Sequence, residues 1–181
     1  TISGTPIKWT SLDTNMLRFP DPAVGRMQAG QIRGPVQAKA ELLTGKADIF
    51  DVYVEPVPSE IMTAHGPGQT GLVGVALPVD IEVIVNAPDG PLEGSIVDFT
   101  SSDGGSFSPT FMATTTDGYA WTTWTLGQTA GQQTAVATVR NYPNLQATFT
   151  ATAVTPVAPA LRFTVHPTNA DVGATITPSV A

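Results

Sequence analysis

Residues 119–126, with the sequence YAWTTWTL, constrain the fold of this chain more than any other stretch. Aromatic and β-branched residues dominate the stretch, and only Ala120 and Leu126 favour helix, which is typical of a β-strand. The turn-forming pair Asp117-Gly118 precedes the stretch, and residues 127–131, which begin and end with glycine, follow it. The sequence therefore predicts a strand that is bounded by turns on both sides.

The alternation of side chains along this strand predicts which residues are buried, because successive side chains point to opposite faces of a sheet. One face should contain Ala120, Thr122, Trp124 and Leu126, and the other should contain Tyr119, Trp121, Thr123 and Thr125. We expect Trp124 and Leu126 to enter the core. Tyr119, Trp121 and Thr123 then form a candidate partner-binding surface, because a flat aromatic strip can stack on sugars or on a protein. The alternative is that a neighbouring loop or repeat covers the aromatic side chains.

Residues 57–154 contain further short apolar runs that are separated by turns rich in Gly, Pro, Asn and Asp. Besides 119–126, we predict strands at residues 61–64, 79–85, 96–100, 107–115, 133–139 and 147–153. Seven short strands at a spacing of about ten residues, without a helical period, predict an all-β sandwich.

Several motifs in this region occur in the order found in one known family. They are NAPDGPL at 86–92, VDFT at 97–100, TTDGYA at 115–120, WTLG at 124–127 with TAG at 129–131, and FTATA at 149–153. Together they resemble the group 1 bacterial immunoglobulin-like domain of the invasin and intimin type. The resemblance implies one complete immunoglobulin-like sandwich over residues 57–154. The family usually has one more residue between Asp117 and Gly118, so we expect a tighter turn here.

Residues 1–56 contain a second set of motifs: WTSLD at 9–13, GRM at 25–27, AGQI at 29–32 and VYV at 52–54. They resemble the later part of a group 2 bacterial immunoglobulin-like domain, whose first two strands would precede Thr1. The run IRGP at 32–35 departs from that family, which usually continues straight into the next strand. The following residues contain a helix-like AKAELL run, but Val36, Ala38 and Ala40 alternate with polar residues, which favours a strand.

Residues 155–181 begin with a proline-containing linker, which should be extended. Leu161, Val172-Gly173 and Pro178 then repeat the pattern of Ile61, Val73-Gly74 and Pro78, at a distance of about one immunoglobulin-like domain. The expected architecture is therefore a tandem array of immunoglobulin-like β-sandwiches, one complete and two partial. Its parts are the end of a domain at 1–56, a whole domain at 57–154, and a linker with the first strands of a further domain at 155–181.

Charge and composition exclude several classes of function. The net charge of −7 and the scattering of eight basic residues argue against nucleic acid as a partner. They also argue against electrostatic binding to an anionic membrane surface. The chain has no cysteine, which excludes disulfides and thiolate metal sites. No run of 18 apolar residues occurs, so we expect no membrane span in this segment.

The sequence contains no recognisable catalytic or cofactor-binding motif. It has no G-x-S-x-G nucleophile motif and no glycine-rich loop followed by Lys-Ser/Thr, so we expect neither an enzyme nor a cofactor. The acidic residues Glu93, Asp98, Asp103 and Asp117 could meet in a calcium site, but no D-x-D-x-D-G run occurs, and turn chemistry explains an Asp before Gly better. His65 and His166 occupy equivalent positions one domain apart, so linker contacts suit them better than a shared metal.

The resemblance implies a non-catalytic module of an exported bacterial protein, located outside the cytoplasm in the periplasm or at the cell surface. Its expected role is that of a structural spacer or docking module that acts through contacts with a protein partner. One alternative is an accessory subunit packed against a membrane-bound assembly. Another is a carbohydrate-binding or adhesin module that uses Tyr119 and Trp121.

Overall fold

The computed structural model describes residues 6–157, and all of their regular elements are β-strands. The N-terminal unit comprises five of them: β1 (Ile7–Ser11), β2 (Leu17–Asp21), β3 (Arg26–Ala29), β4 (Gly34–Leu42) and β5 (Ala47–Val54). They form a three-stranded sheet in the order β1-β4-β5 and a separate β2-β3 hairpin. The strand predicted from residue 36 onward, instead of a helix, is therefore confirmed as β4.

A small apolar core joins the two sheets of the N-terminal unit. Its fully buried members are Leu17, Val36, Ala38 and Val54. Trp9 extends this core, because its ring stacks on Phe19 and meets Phe50 edge-on, with centroid distances of 5.9 Å in both cases.

The central unit, residues 57–154, contains ten strands. They are β6 (Glu60–His65), β7 (Gln69–Leu72), β8 (Ile81–Ala87), β9 (Gly90–Pro91), β10 (Ile96–Ser101), β11 (Ser106–Ser108), β12 (Phe111–Ala113), β13 (Tyr119–Thr125), β14 (Gly131–Val139) and β15 (Gln146–Val154). One sheet has the order β6-β8-β13-β11, and the other has the order β12-β10-β14-β15-β7.

This strand order is that of an immunoglobulin-like sandwich. The sheet β6-β8-β13-β11 corresponds to strands A, B, E and D of that fold, and β10-β14-β15 corresponds to C, F and G. All pairs between neighbouring strands are antiparallel except β15 with β7, which is parallel. The expected all-β immunoglobulin-like fold is thus confirmed for the central unit.

The core of the central unit lies between its two sheets and contains eighteen buried apolar side chains. Trp124 is 0% exposed, as the alternation along β13 predicts, and Ala120, Thr122 and Leu126 are buried with it. The ring of Phe107 stacks on Trp124 at 6.1 Å and lies 6.2 Å from Phe99 of the opposite sheet. Trp124, Phe107 and Phe99 therefore form an aromatic cluster that connects the two layers.

One predicted strand is wrong, and strand β7 was not predicted. The run 107–115, predicted as one strand, is divided into β11 and β12, which belong to opposite sheets. The chain crosses between the sheets at Pro109, whose carbonyl accepts a 2.6 Å hydrogen bond from Thr122 Oγ1. Strand β7 was missed, because its sequence QTGL follows GPG and looks like part of a turn.

The turn before β13 is a tight turn that is closed by backbone hydrogen bonds. Gly118 N donates to the carbonyl of Thr115 at 2.8 Å, and Thr115 N donates to the carbonyl of Tyr119 at 2.9 Å. Gly118 has a φ of +80°, a conformation that residues with a Cβ rarely adopt. The further partial domain expected at residues 155–181, including His166, lies outside the described residues from position 158 onward.

Candidate functional site

The outward face of the β6-β8-β13 sheet carries the aromatic residues singled out by the sequence. Trp121 lies directly opposite Glu82, and Glu82 lies opposite His65, so these three form one row across three strands. In the next row, Tyr119 lies opposite Ile84, which is paired with Met62 on its other side. The face therefore combines an apolar row with a row that mixes a tryptophan, a carboxylate and a histidine.

The exposure of these side chains follows the predicted alternation. Trp121 is 37% exposed, and Tyr119 and Thr123 are half-buried, whereas the intervening residues of β13 are buried. The structure thus places Tyr119, Trp121 and Thr123 together on the outward face. That they bind a partner stays a prediction.

A shallow hollow of about 290 Å³ lies beside the Trp121 ring. It is lined by His65, Val79, Asp80, Glu82 and Trp121. Thr123 Oγ1 donates a 2.7 Å hydrogen bond to Asp80 Oδ1 and so holds one carboxylate at the edge of the hollow. Neither Asp80 nor Glu82 forms an ion pair with any residue in the described range 6–157.

Sequence reasoning missed the acidic residues of this hollow. Asp80, Glu82 and His65 come from segments 39 or more positions before Trp121, and only the strand register brings them together. The charge of each segment is a signal that could have found them. Residues 57–154 contain eight acidic residues and one arginine. Residues 1–56 contain six acidic residues and six lysines or arginines, and residues 155–181 contain one acidic residue and one arginine, so the whole net charge of −7 belongs to the central unit.

The acidic residues considered for a calcium site have separate roles. Asp98 accepts a 3.0 Å hydrogen bond from Arg140 Nε, and this bond lowers the pKa of Asp98. Asp103 Oδ2 accepts a 2.6 Å bond from Thr134 N, which ties the loop after β10 to β14. Among the described residues, no group of three or more His, Asp or Glu side chains is arranged to hold a metal ion.

The second feature of interest is the junction between the two units. Arg33, in the loop between β3 and β4, binds the carboxylate of Asp89, in the turn after β8. We call this pair the Arg33–Asp89 clamp. Its Nε lies 2.9 Å from both carboxylate oxygens, and its Nη2 lies 2.6 Å from Oδ1. The backbone N–H of Arg33 also donates to Asp89 Oδ2 at 2.8 Å, and Nη2 donates to the carbonyl of Gly90 at 3.2 Å.

The clamp shifts the pKa values of both partners. The hydrogen bonds from the Arg33 side chain, followed by the one from its backbone, lower the pKa of Asp89 from 3.8 to about 2. The same side-chain bond raises the pKa of Arg33. Arg33 lies in the run IRGP at 32–35, so this run supplies a residue that contacts the central unit.

The linker between the units is also bonded to the central sandwich. Ser59 N donates to the carbonyl of Asn86 at 2.8 Å, and Ser59 Oγ donates to the same oxygen at 3.2 Å. Ser59, the last residue before β6, is therefore bonded to the end of β8. In residues 6–157, no helix is long and apolar enough to cross a membrane.

Comparison with known proteins yields matches among solved structures only. No protein-family model matches this chain, and no curated protein matches it. Domains 4 and 5 of the S-layer protein SbsC are similar at 17% identity, over 86% of this chain and 74% of that one, with a TM-score of 0.42. The D0-D1 domains of intimin are similar at 19% identity, over 81% of this chain and 78% of that one, with a TM-score of 0.39.

Invasin, described as a bacterial integrin-binding protein, is similar at 15% identity and a TM-score of 0.45. The match covers 84% of this chain but only 32% of the invasin structure. The strand order of the central unit establishes its fold: it is an immunoglobulin-like β-sandwich.

Proposed function

We propose that this protein is a non-catalytic structural module that acts as a rigid spacer and docking unit through protein–protein contacts. The observation that carries the proposal is the clamp between Arg33 and Asp89. Charge-assisted pairs in which arginine forms several bonds to one carboxylate are among the stronger polar contacts in proteins. Relative motion is the default for neighbouring domains, so a clamp of this kind indicates that a fixed orientation matters.

The division of the chain into domains supports the spacer role. In the N-terminal unit, the sheet β1-β4-β5 has the order of strands C, F and G, and the β2-β3 hairpin takes the place of D and E. We therefore assign residues 1–56 to the C-terminal part of an immunoglobulin-like domain and residues 57–154 to a complete one. The sequence repeat after the second linker supports assigning 155–181 to the start of a third.

The proposed location is outside the cytoplasm of a bacterium, in the periplasm or at the cell surface. The motifs at 86–92, 115–120 and 149–153, which resemble those of the invasin and intimin type, support this assignment.

Backbone ¹⁵N relaxation on the full chain tests the spacer role. If the module is rigid, the N-terminal and central units tumble with one rotational correlation time. Two clearly different correlation times in the wild-type chain would contradict the proposal.

A further inference from the structure

We propose that the sheet face around Trp121 docks a basic segment of a protein partner. In this arrangement an arginine side chain enters the hollow between Asp80 and Glu82 and lies against the Trp121 ring. The inference rests on the proposed docking role and deepens it, because it names the chemistry of the partner.

The hollow has the components that a guanidinium requires. The exposed part of Trp121 offers an aromatic ring, and such rings attract cations placed over their faces. Asp80 and Glu82 line the same hollow, and within the described part of the chain no Lys or Arg pairs with them. Arginine suits this combination better than lysine, because its planar group can stack on the ring and bond to a carboxylate at once.

The central unit contains an internal example of the same chemistry. On the opposite sheet, the guanidinium carbon of Arg140 lies 4.7 Å from the centre of the Phe111 ring, and its Nε bonds to Asp98. Among residues 57–154, Arg140 is the only lysine or arginine. Within residues 6–157, one aromatic–carboxylate pair is therefore filled by an arginine of the chain itself, and the pair at Trp121 is not.

Charge and apolar surface both favour a basic partner. The central unit carries the whole net charge of −7, which attracts a cationic segment and accelerates its encounter with this face. The row formed by Tyr119, Ile84 and Met62 lies beside the hollow, and Met62 is 42% exposed. This row can cover the aliphatic stem of an arginine or an apolar neighbour in the partner.

An NMR titration of the full chain with the peptide acetyl-Gly-Arg-Gly-Arg-Gly-amide tests the inference at low salt. The control peptide has citrulline, which is neutral and nearly isosteric, in place of arginine. We expect the arginine peptide to shift the Trp121 indole signal and to bind about fivefold or more tightly than the control, the sum expected of one exposed cation–π contact and one exposed ion pair. Equal affinity of the two peptides would overturn the inference.

Variants locate the site. We expect Glu82→Gln to weaken binding of the arginine peptide by about threefold or more, and Trp121→Ala to weaken it as well. Glu93→Gln is the matched control, because it removes the same charge from an exposed position of the central unit outside the hollow. Equal effects of Glu82→Gln and Glu93→Gln would show that only net charge matters and would overturn the site. Unchanged backbone spectra of each variant verify that the fold is intact.

A third titration, with a neutral oligosaccharide such as cellohexaose, separates a carbohydrate partner from a protein partner. Shifts at Trp121 with the oligosaccharide but not with the arginine peptide would overturn the inference in favour of sugar binding. The relaxation measurement of interunit rigidity does not depend on this face, so failure of the docking inference and failure of the spacer proposal are distinguishable.

Discussion

Arg33 and Asp89 are 56 positions apart in sequence, yet their side chains form three hydrogen bonds of 2.6–2.9 Å across the junction between the two units. The backbone of Arg33 adds a fourth bond to the same carboxylate. The guanidinium and the backbone N–H of Arg33 both bond to the Asp89 carboxylate. A rotation of one unit against the other would therefore break several hydrogen bonds at once. We therefore expect the relative orientation of the units to depend on this pair.

The clamp should have a defined pH dependence. The pKa of Asp89 is lowered to about 2 in the folded protein, so its stabilising effect is fully present above the ordinary value of 3.8 and is lost as the pH falls from there to about 2. We expect the difference in unfolding free energy between wild type and Asp89→Asn to be constant above pH 5 and to shrink between about pH 4 and pH 2. Urea titrations across this range measure it. A difference that does not change with pH would show that the carboxylate charge is unimportant.

The core assignment of Trp124 leads to a large expected loss of stability. Trp124→Ala should destabilise the central unit by about 3–5 kcal/mol, the range for large buried aromatic residues. Trp124→Phe should cost less than half of that, because Trp124 Nε1 has no hydrogen-bond partner in the described part of the chain and only volume is lost. Trp121→Ala, on the exposed face, should cost at most about 1 kcal/mol. Denaturant unfolding compares the three, and a larger loss for Trp121→Ala than for Trp124→Ala would reverse the assignment of the faces.

The turn before β13 requires glycine for two separable reasons. Gly118 and Gly94 both have positive φ, of +80° and +78°, so alanine is strained at either position. A Cβ at Gly118 would also lie 2.6 Å from the carbonyl oxygen of Val85, whereas nothing lies within 4 Å of one at Gly94. We expect Gly94→Ala to cost about 1–2 kcal/mol and Gly118→Ala to cost clearly more. Equal costs in thermal or urea unfolding would show that the contact with Val85 is relieved by small shifts.

A buried glutamine organises the loop that follows β13. Gln133 Oε1 accepts a 2.7 Å bond from Gly127 N, and Gln133 Nε2 donates a 2.6 Å bond to the carbonyl of Thr129. Gln133→Ala should cost about 1–3 kcal/mol, because buried backbone groups lose their partners. The exposed neighbour Gln132 is the control, and Gln132→Ala should change the stability by less than about 0.5 kcal/mol. Faster amide hydrogen exchange at Gly127 in Gln133→Ala alone would locate the effect in this loop, and unchanged exchange would contradict this role.

The sequence was sufficient to predict features that depend on local patterns. The alternation along β13 correctly separated Trp124 from Trp121, and the Asp117-Gly118 pair correctly marked the turn. The splitting of residues 107–115 was not predictable in this way, because the run is continuous in β propensity and only the crossing between sheets divides it. The hollow beside Trp121 and the clamp at Arg33 depend on register and on docking between distant segments. Local patterns contain no information on either.

The most direct test of the rigid-spacer account is a distance measurement between the two units by pulsed electron spin resonance. The chain has no cysteine, so two substitutions give unique labelling sites. They are Leu43→Cys, at an 82% exposed position of the β4-β5 turn, and Asn144→Cys, at an exposed position of the β14-β15 turn. The measurement is repeated with Arg33→Ala and with Lys39→Ala, which removes an ion pair to Glu41 inside the N-terminal unit. The account predicts one narrow distance distribution that broadens with Arg33→Ala and not with Lys39→Ala. A wild-type distribution that is already broad, or that is unchanged by Arg33→Ala, would contradict it.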